Sequence, residues 1–543
     1  MVVKIVLFVL FSLSSLFFIS AANNDSDDLI VQLAKGKIRG HVLESWNGKN
    51  YYAFQEIPYA APPIGAARFQ LPREVEPWEG ILNTTSNSRV CYQLEYKYDS
   101  LHYTEDCLLM NVYSPSKPGS KTKLPVLVWI HGGGLVGQSG AFQYYGPKYI
   151  MDYEVVVVTF NYRLAAFGFV TTEDDVIPAN IGLKDQRFAL QWVKENIILF
   201  GGDPDHITIA GESAGALCVG FHQLGQWNGE TESFHAAIIE SGAALGDLSQ
   251  PDARANAFDL GRQLDKKFNS SESEDLLTVL QNAAPEDILK INKKYGTVIE
   301  KDGPFSYAGL QSFMDGNIKK IPTLIGFNSE EYIHVGGSKN IETRRQYDKD
   351  PSLLIPTTFH MSPQNRSIAG ALLMKVYTNT SFEEDLGAFV RWTSDRTIII
   401  PICKQVELGS TQSPHYLYQF SYKGDLGGKN NPPVIVPGCG TVGHEEELRY
   451  VWDNGSNSDL NDFPVEDQLM HLRFIKLWTN FIKYYNPTPE DDALLNNISW
   501  PKSNAGLLYL NINATMEVLE NPRHFKQQKV IFDDFIQEPY ISY

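Results

Sequence analysis

Short apolar runs alternate with helical patterns along the first half of the chain. Runs rich in Val and Ile, each bounded by turn residues, predict strands buried on both faces at residues 125–130, 155–160 and 207–210. Between them, apolar residues at helical spacing predict a helix over residues 185–199. Strands that alternate with helices indicate an α/β fold with a mostly parallel central sheet flanked by helices.

The second half continues this pattern without a visible boundary. Residues 416–421 predict another strand, residues 465–485 predict a long helix, and the polar stretch 336–352 predicts a surface segment. The chain of 543 residues has no repeat period, no low-complexity tract and no long Pro/Gly/Ser spacer. We therefore predict a single domain with large insertions over residues 23–543.

Composition and charge exclude several classes of protein. With 43 % hydrophobic and 12 % aromatic residues, the chain can form a large packed core and is neither disordered nor collagen-like. Lys and Arg number 46 against 64 Asp and Glu, and the resulting net charge of −18 is spread along the chain. This acidity argues against a nucleic-acid partner.

Residues 1–22 have the features of a secretory signal peptide. Lys4 precedes an apolar run that is shorter than the roughly 20 residues a membrane-spanning helix needs, and small residues follow it. We predict cleavage after Ala22 and a soluble, secreted, extracellular protein without a membrane anchor. Eight Asn-x-Ser/Thr sequons agree with a glycoprotein; they begin at Asn24, Asn83, Asn269, Asn365, Asn379, Asn454, Asn497 and Asn513.

Two glycine-rich segments indicate chemistry at strand ends. Residues 211–215, Gly-Glu-Ser-Ala-Gly, follow a predicted strand and precede an apolar segment that can begin a helix, so Ser213 is expected on a sharp turn at the carboxyl edge of the sheet. Residues 129–134 end in three glycines, whose backbone N–H groups suit an oxyanion hole. The alternatives are a helix-capping serine and a flexible turn. Both segments in one chain favour a serine hydrolase.

A nucleophilic serine needs a base and an orienting acid, which follow it along the chain in this architecture. Among the histidines after Ser213, His444 follows a Gly-rich loop that can carry it to the sheet edge. The predicted strand at residues 323–327 ends close to Glu330 and Glu331. Spacing alone does not choose between these two carboxylates.

Together with further motifs, these residues resemble the type-B carboxylesterases, a cholinesterase-like family of α/β-hydrolases. The resemblance covers nearly the whole mature chain, with motifs at residues 54–60, 105–108, 161–163, 180–186, 189–193 and 200–204. It implies an α/β-hydrolase fold and hydrolysis of carboxylic esters through an acyl-enzyme intermediate. It implies no metal and no organic cofactor.

By this resemblance Ser213 is the nucleophile and His444 is the base. Glu331 rather than Glu330 matches the acid, because the family places it five residues after a glycine that here is Gly326. The oxyanion donors are implied to be backbone amides of three residues, Gly133, Gly134 and Ala214. The chain departs from the common pattern near the site at three positions, Leu135, Tyr332 and Thr441.

Export favours oxidation of the five cysteines, which allow at most two disulfides. The resemblance implies that Cys91 and Cys107 are paired. Cys218, close to the nucleophile on the following helix, is predicted to be a buried free thiol, and Cys403 with Cys439 is a candidate second bridge.

The expected function is a secreted carboxylic-ester hydrolase with a small-molecule ester as substrate; no oligomeric state is predicted. The chain looks most like insect members of the family, which include hormone, odorant and xenobiotic esterases, and neutral apolar esters are the expected substrates. Members with juvenile-hormone activity commonly carry Gln before the nucleophile, where this chain has Glu212. Alternatives are a non-catalytic adhesion or binding protein on the same fold and a lipase.

Overall fold

The computed structural model describes residues 29–93, 98–225, 233–291, 295–301, 303–306, 308–336, 340–428, 434–454 and 459–543. The predicted signal peptide and the sequon at Asn24 lie outside the described residues. None of the seven other sequon asparagines is buried. Among the helices in the described ranges, none is long and apolar enough to cross a membrane.

The strands of the described residues are β1 (Ile30–Leu33), β2 (Gly36–Arg39), β3 (His41–Glu44), β4 (Asn50–Pro58), β5 (Ile81–Asn83), β6 (Arg89–Cys91), β7 (His102–Thr104), β8 (Leu109–Ser114), β9 (Leu124–Ile130), β10 (Val156–Phe160), β11 (Gly202–Glu212), β12 (Ala236–Glu240), β13 (Thr323–Asn328), β14 (His415–Phe420), β15 (Leu508–Ile512) and β16 (Glu517–Glu520).

The α-helices of the same residues are α1 (Phe142–Tyr145), α2 (Ala165–Phe169), α3 (Ile181–Asn196), α4 (Ala214–Leu224), α5 (Ala253–Leu264), α6 (Ser273–Asn282), α7 (Pro285–Lys290), α8 (Gly309–Asp315), α9 (Ile341–Lys349), α10 (Pro363–Tyr377), α11 (Leu386–Ser394), α12 (Ile400–Gly409), α13 (Val465–Tyr484) and α14 (Phe525–Phe535).

One large sheet organises the molecule. In the described part of the chain it contains eleven strands, in the order β16-β15-β14-β13-β12-β11-β9-β10-β8-β4-β3. The strands from β15 to β10 are parallel, and antiparallel strands extend the sheet at both edges. The predicted α/β class with a mostly parallel sheet is confirmed.

The central strands are buried on both faces, as their continuous apolar sequences predict. In β9, Val126, Val128 and Ile130 belong to one hydrophobic cluster, and Leu127 and Trp129 belong to another on the opposite face. The helices α3 and α4 contribute apolar residues to the first cluster and α13 to the second. The parallel strands therefore end at one shared edge, between two layers of helices.

The described residues of the polar stretch, 336 and 340–352, lie mainly at the surface, but they contain the helix α9, which their polar pattern did not predict. Its pattern was hard to recognise because Arg344 is the one buried residue of this helix. The guanidinium donates hydrogen bonds to the carbonyls of Phe382 and Glu383, both at 3.2 Å. A buried cation therefore takes the place of the apolar stripe by which such helices are recognised.

The cysteines confirm one predicted bridge and contradict the other. Cys91 and Cys107 form a disulfide, and Cys218 is a buried free thiol. The candidate bridge between Cys403 and Cys439 is wrong, because both thiols are free. Cys403 is buried in the main core within α12, whereas Cys439 packs beside a small separate cluster, so different parts of the core hold them apart.

Candidate active site

Ser213 lies on a strained turn between β11 and α4. Its backbone angles are φ 56° and ψ −125°, outside the regions that most residues adopt. Gly211 and Gly215 permit this turn, since a Cβ on Gly211 would lie 2.6 Å from the backbone of Gly215, and one on Gly215 would lie 2.1 Å from the carbonyl oxygen of Ile130. The strand, serine and helix predicted from the sequence are therefore present, at the carboxyl edge of the sheet.

His444 bridges the predicted acid and this turn. Its Nδ1 lies 2.7 Å from Oε2 of Glu331, and its Nε2 lies 3.1 Å from Oε1 of Glu212, the residue before Ser213. The other oxygen of Glu331 accepts hydrogen bonds from the backbone N–H of Asn328 at 2.7 Å and from Ser241 Oγ at 2.8 Å. The Glu331 carboxylate is fully buried and is fixed on both sides.

Glu330 has a different partner although it is adjacent and equally buried. Arg523 donates to its two oxygens, at 2.9 Å and 3.0 Å, and also donates through Nε to Asp395 at 2.9 Å. Of the two carboxylates that spacing left open, Glu331 is therefore the one that contacts His444.

The two carboxylates beside His444 determine its protonation. Burial lowers the pKa of His444, but the charge of Glu212 and the hydrogen bond and charge of Glu331 outweigh it and raise the pKa above its usual value. These groups stabilise the imidazolium, which is the form that arises when the ring accepts a proton.

The loop after β9 packs directly against the Ser213 turn. A Cβ on Gly132 would lie 2.7 Å from the carbonyl oxygen of Glu212 and 3.2 Å from Cβ of Ser213. Gly133 has φ 86°, and a Cβ there would lie 2.3 Å from the carbonyl oxygen of Gly137. Both the close approach and the left-handed turn therefore require glycine.

The amides predicted to form an oxyanion hole have no acceptor within the described part of the chain. Gly134 also has a positive φ, of 63°. Within the described residues, the N–H groups of Gly133, Gly134 and Ala214 donate no hydrogen bond. Leu135, at the position where an aromatic residue is common in the family, has φ 64° and is fully buried.

Three polar residues behind Glu331 were not identified from the sequence: Ser241, Asn328 and Glu240. Ser241 Oγ lies 3.4 Å from Oε1 of Glu447, and the Asn328 side chain donates to the other Glu447 oxygen. Glu240 accepts a hydrogen bond from Trp478 Nε1 at 2.9 Å. Ser241 directly follows β12 and Asn328 ends β13, so their positions at the carboxyl edge are the signal that could have indicated them.

Burial and mutual repulsion raise the pKa of two buried carboxyls in this cluster, Glu447 and Glu240. Burial followed by the charge of Glu331 raises the pKa of Glu447 to about 7. Burial followed by the charge of Glu447 raises the pKa of Glu240 well above its usual range. Glu240 therefore favours its neutral form, and the negative charge of the cluster lies on the other carboxylates.

Two departures from the common family pattern shape the surroundings of His444. Tyr332 stands where glycine is usual, and its ring stacks on the imidazole with centroids 6.4 Å apart and planes at 21°. Gly440 stands one position before Thr441 and donates its amide to Glu330 at 3.0 Å. The Tyr332 ring therefore lies near the imidazole, with its plane close to parallel.

One group of side chains has the spacing of metal ligands. Glu212, His444 and Glu445 each place one donor atom within 4.8 Å of the others. Glu331 holds His444 Nδ1, and Nε2 lies 3.1 Å from Glu212, so the same ring is also placed for proton transfer.

The sequence of this chain is similar to those of known esterases and hydrolases. The chain is 32 % identical over 551 aligned positions to juvenile hormone esterase of Heliothis virescens, with 94 % of this chain and 95 % of the relative covered. It is 31 % identical to pyrethroid hydrolase Ces2e of Rattus norvegicus, with 88 % and 85 % covered.

The crystal structure of juvenile hormone esterase from Manduca sexta, with OTFP covalently attached, superimposes with a TM-score of 0.82. The match has 26 % sequence identity and covers 93 % of this chain and 99 % of that one, which confirms the α/β-hydrolase fold. The model of the carboxylesterase family matches residues 27–532. The chain belongs to the carboxylesterase family and is a carboxylic-ester hydrolase.

Proposed function

We propose that this hydrolase works through Ser213 as nucleophile, His444 as general base and Glu331 as the acid that orients it. The observation that carries the proposal is the position of His444, with Nδ1 2.7 Å from Glu331 and Nε2 3.1 Å from the residue next to Ser213. A base with one nitrogen fixed by a buried carboxylate and the other at the nucleophile's turn is the arrangement that serine hydrolysis needs.

In the proposed mechanism, Ser213 Oγ attacks the ester carbonyl carbon while His444 Nε2 accepts its proton. The amides of Gly133, Gly134 and Ala214 then hold the developing oxyanion. Collapse of the tetrahedral intermediate transfers the His444 proton to the departing alcohol and leaves an acyl-enzyme. Water repeats the sequence, with His444 as base and then as acid, and releases the carboxylic acid and free Ser213.

The proposed substrates are neutral, apolar carboxylic esters of the hormone, odorant or xenobiotic type. Glu212 and Glu445 lie beside His444, and their charges disfavour an anionic substrate at the reacting carbonyl. Two similar proteins, juvenile hormone esterase of Heliothis virescens and pyrethroid hydrolase Ces2e of Rattus norvegicus, have names that describe hydrolysis of such molecules. The complete set of catalytic side chains favours this function over a non-catalytic adhesion protein, and no observation favours a lipase.

We also propose that the protein is a secreted glycoprotein with one domain over residues 23–543. The Cys91–Cys107 disulfide and the unburied sequon asparagines support passage through an oxidising compartment. The family model spans residues 27–532 as one unit, which supports a single domain.

The test is Ser213→Ala, assayed with p-nitrophenyl acetate. We expect kcat below about 10⁻³ of the wild-type value, with thermal unfolding unchanged, because the hydroxyl reacts but does not pack in the core. Ser86→Ala, at an exposed loop position, is the matched control and should keep full activity. A folded Ser213→Ala variant that retains more than about 10⁻³ of the wild-type kcat would contradict the assignment.

A further inference from the structure

A large cavity lies beside α4, outside the catalytic group. Its volume is about 550 Å³, and its apolar wall includes Leu183, Phe221, Leu224, Leu248 and Phe305. Glu173, Asp247 and Asp252 are exposed and also line it. Among its described lining residues there is no Lys, Arg or His. The cavity therefore suits a neutral apolar ligand and disfavours an anion.

One face of α4 connects this cavity with Ser213. From residue 213 to residue 224, partial exposure is confined to Ser213, Leu217 and Phe221, and the other residues are buried. A spacing of four places these three side chains in one row along the helix. The row begins at the proposed nucleophile and ends at Phe221, which lines the cavity.

Leu217 stands at the middle of this row, between two glycines that make room for it. A Cβ on Gly242 would lie 2.6 Å from the carbonyl oxygen of Ser213 and 2.9 Å from Cδ1 of Leu217. A Cβ on Gly246 would lie 2.9 Å from Cδ2 of Leu217, and Gly246 itself lines the cavity. The Leu217 side chain thus contacts the wall on both the nucleophile's side and the cavity's side.

We propose that the cavity binds a long apolar chain of the ester substrate and that Leu217 determines how readily such a chain enters it. This inference rests on the proposed role of Ser213. Phe221 lies eight positions after Ser213, a rise of about 12 Å along the helix, which a chain of roughly ten carbon atoms spans. The chain belongs to either the acyl or the alcohol part of the ester.

The experiment measures kcat/KM over two series of esters. One series is p-nitrophenyl esters from acetate to dodecanoate, and the other is acetates of unbranched alcohols of the same lengths. For the wild type we expect kcat/KM in one series to rise by about fourfold for each methylene that enters the cavity.

The variants change the size of the side chain at the entrance. Leu217→Trp should lower the ratio of kcat/KM for the longest ester to that for the shortest by at least about tenfold, and Leu217→Ala should raise it. Leu372→Trp, at an exposed position of α10, is the matched control and should leave both the ratio and the activity unchanged. Thermal unfolding identifies any variant that does not fold, and Leu217→Ala tests the proposal independently of the larger residue.

The proposal is overturned if the ratio stays within about twofold of wild type in each folded Leu217 variant, in both series. It is also overturned if kcat/KM in the wild type does not increase with chain length in either series. Failure of the proposed catalytic function gives a different result, namely full activity toward the acetate in Ser213→Ala. The two failures are therefore distinguishable.

Discussion

The adjacent carboxylates Glu330 and Glu331 allow a sharp test of the proposed acid. Both are fully buried, but Glu331 contacts His444 at 2.7 Å, whereas Glu330 is paired with Arg523. Glu331→Gln keeps the size of the side chain and removes its charge. The amide of the new side chain can then donate a hydrogen bond to Nδ1 of His444. The ring proton then lies on Nε2, which is the nitrogen that must accept the proton of Ser213.

We expect Glu331→Gln to lower kcat by about 10⁴-fold, the effect of an Asp→Asn change at the acid of a Ser-His-Asp triad, which corresponds to about 5.5 kcal/mol of transition-state stabilisation. The matched control, Glu330→Gln, leaves this contact intact. It removes the charge that accepts two hydrogen bonds from Arg523, at 2.9 Å and 3.0 Å. Breaking a buried ion pair destabilises by on the order of 3 kcal/mol, so the control should unfold more easily while kcat changes by less than about tenfold.

The assay is steady-state hydrolysis of p-nitrophenyl acetate below the unfolding temperature of each variant, with thermal unfolding recorded in parallel. The reasoning predicts opposite rankings: Glu331→Gln is the less active variant and Glu330→Gln is the less stable one. A larger loss of kcat in Glu330→Gln, or more than about 1 % of wild-type kcat in Glu331→Gln, would refute it.

Three further predictions concern pH, the disulfide and substrate charge. Glu212→Gln removes a charge that raises the pKa of His444, so the acidic limb of kcat/KM against pH should move to lower pH; an unmoved limb contradicts this. Cys91→Ser with Cys107→Ser opens a loop of 15 residues and should lower the free energy of unfolding in urea by about 3 kcal/mol; a loss below about 1 kcal/mol contradicts this. The ratio of kcat/KM for acetylcholine to that for its uncharged carbon isostere should be below about 100 at physiological salt, because residues 91–107 contain no Trp for a strong cation–π contact. A larger ratio contradicts this.

The parts of the fold that the sequence predicts well are those where neighbouring residues share one environment. β9 is buried on both faces, so its sequence is apolar without interruption, and the predicted strand at residues 125–130 differs from Leu124–Ile130 by one residue. Glycines were informative where a close approach requires them. Gly326, which helped to select Glu331, pairs with Tyr418 across β13 and β14, and a Cβ there would lie 2.2 Å from the tyrosine ring.

Prediction failed where contacts depend on distant segments. Spacing could not separate Glu330 from Glu331, because both lie in an irregular turn, and the direction of each side chain is set by Arg523 and His444, far along the chain. Counting cysteines suggested a second bridge, but a disulfide also requires two close Cβ atoms, and the number of thiols contains no information on distance.

The buried acids behind Glu331 show the same limit and explain what the surrounding residues contribute. Glu240 and Glu447 are separated by more than two hundred positions, and each looks in the sequence like a surface carboxylate. In the structure both are buried, and burial with like charge nearby raises the pKa of each. Protonation of these two groups reduces the repulsion that an ionised Glu331 would otherwise experience. Because Ser241 contacts both Glu331 and Glu447, it links the acid to this cluster and fixes the orientation of the Glu331 carboxylate.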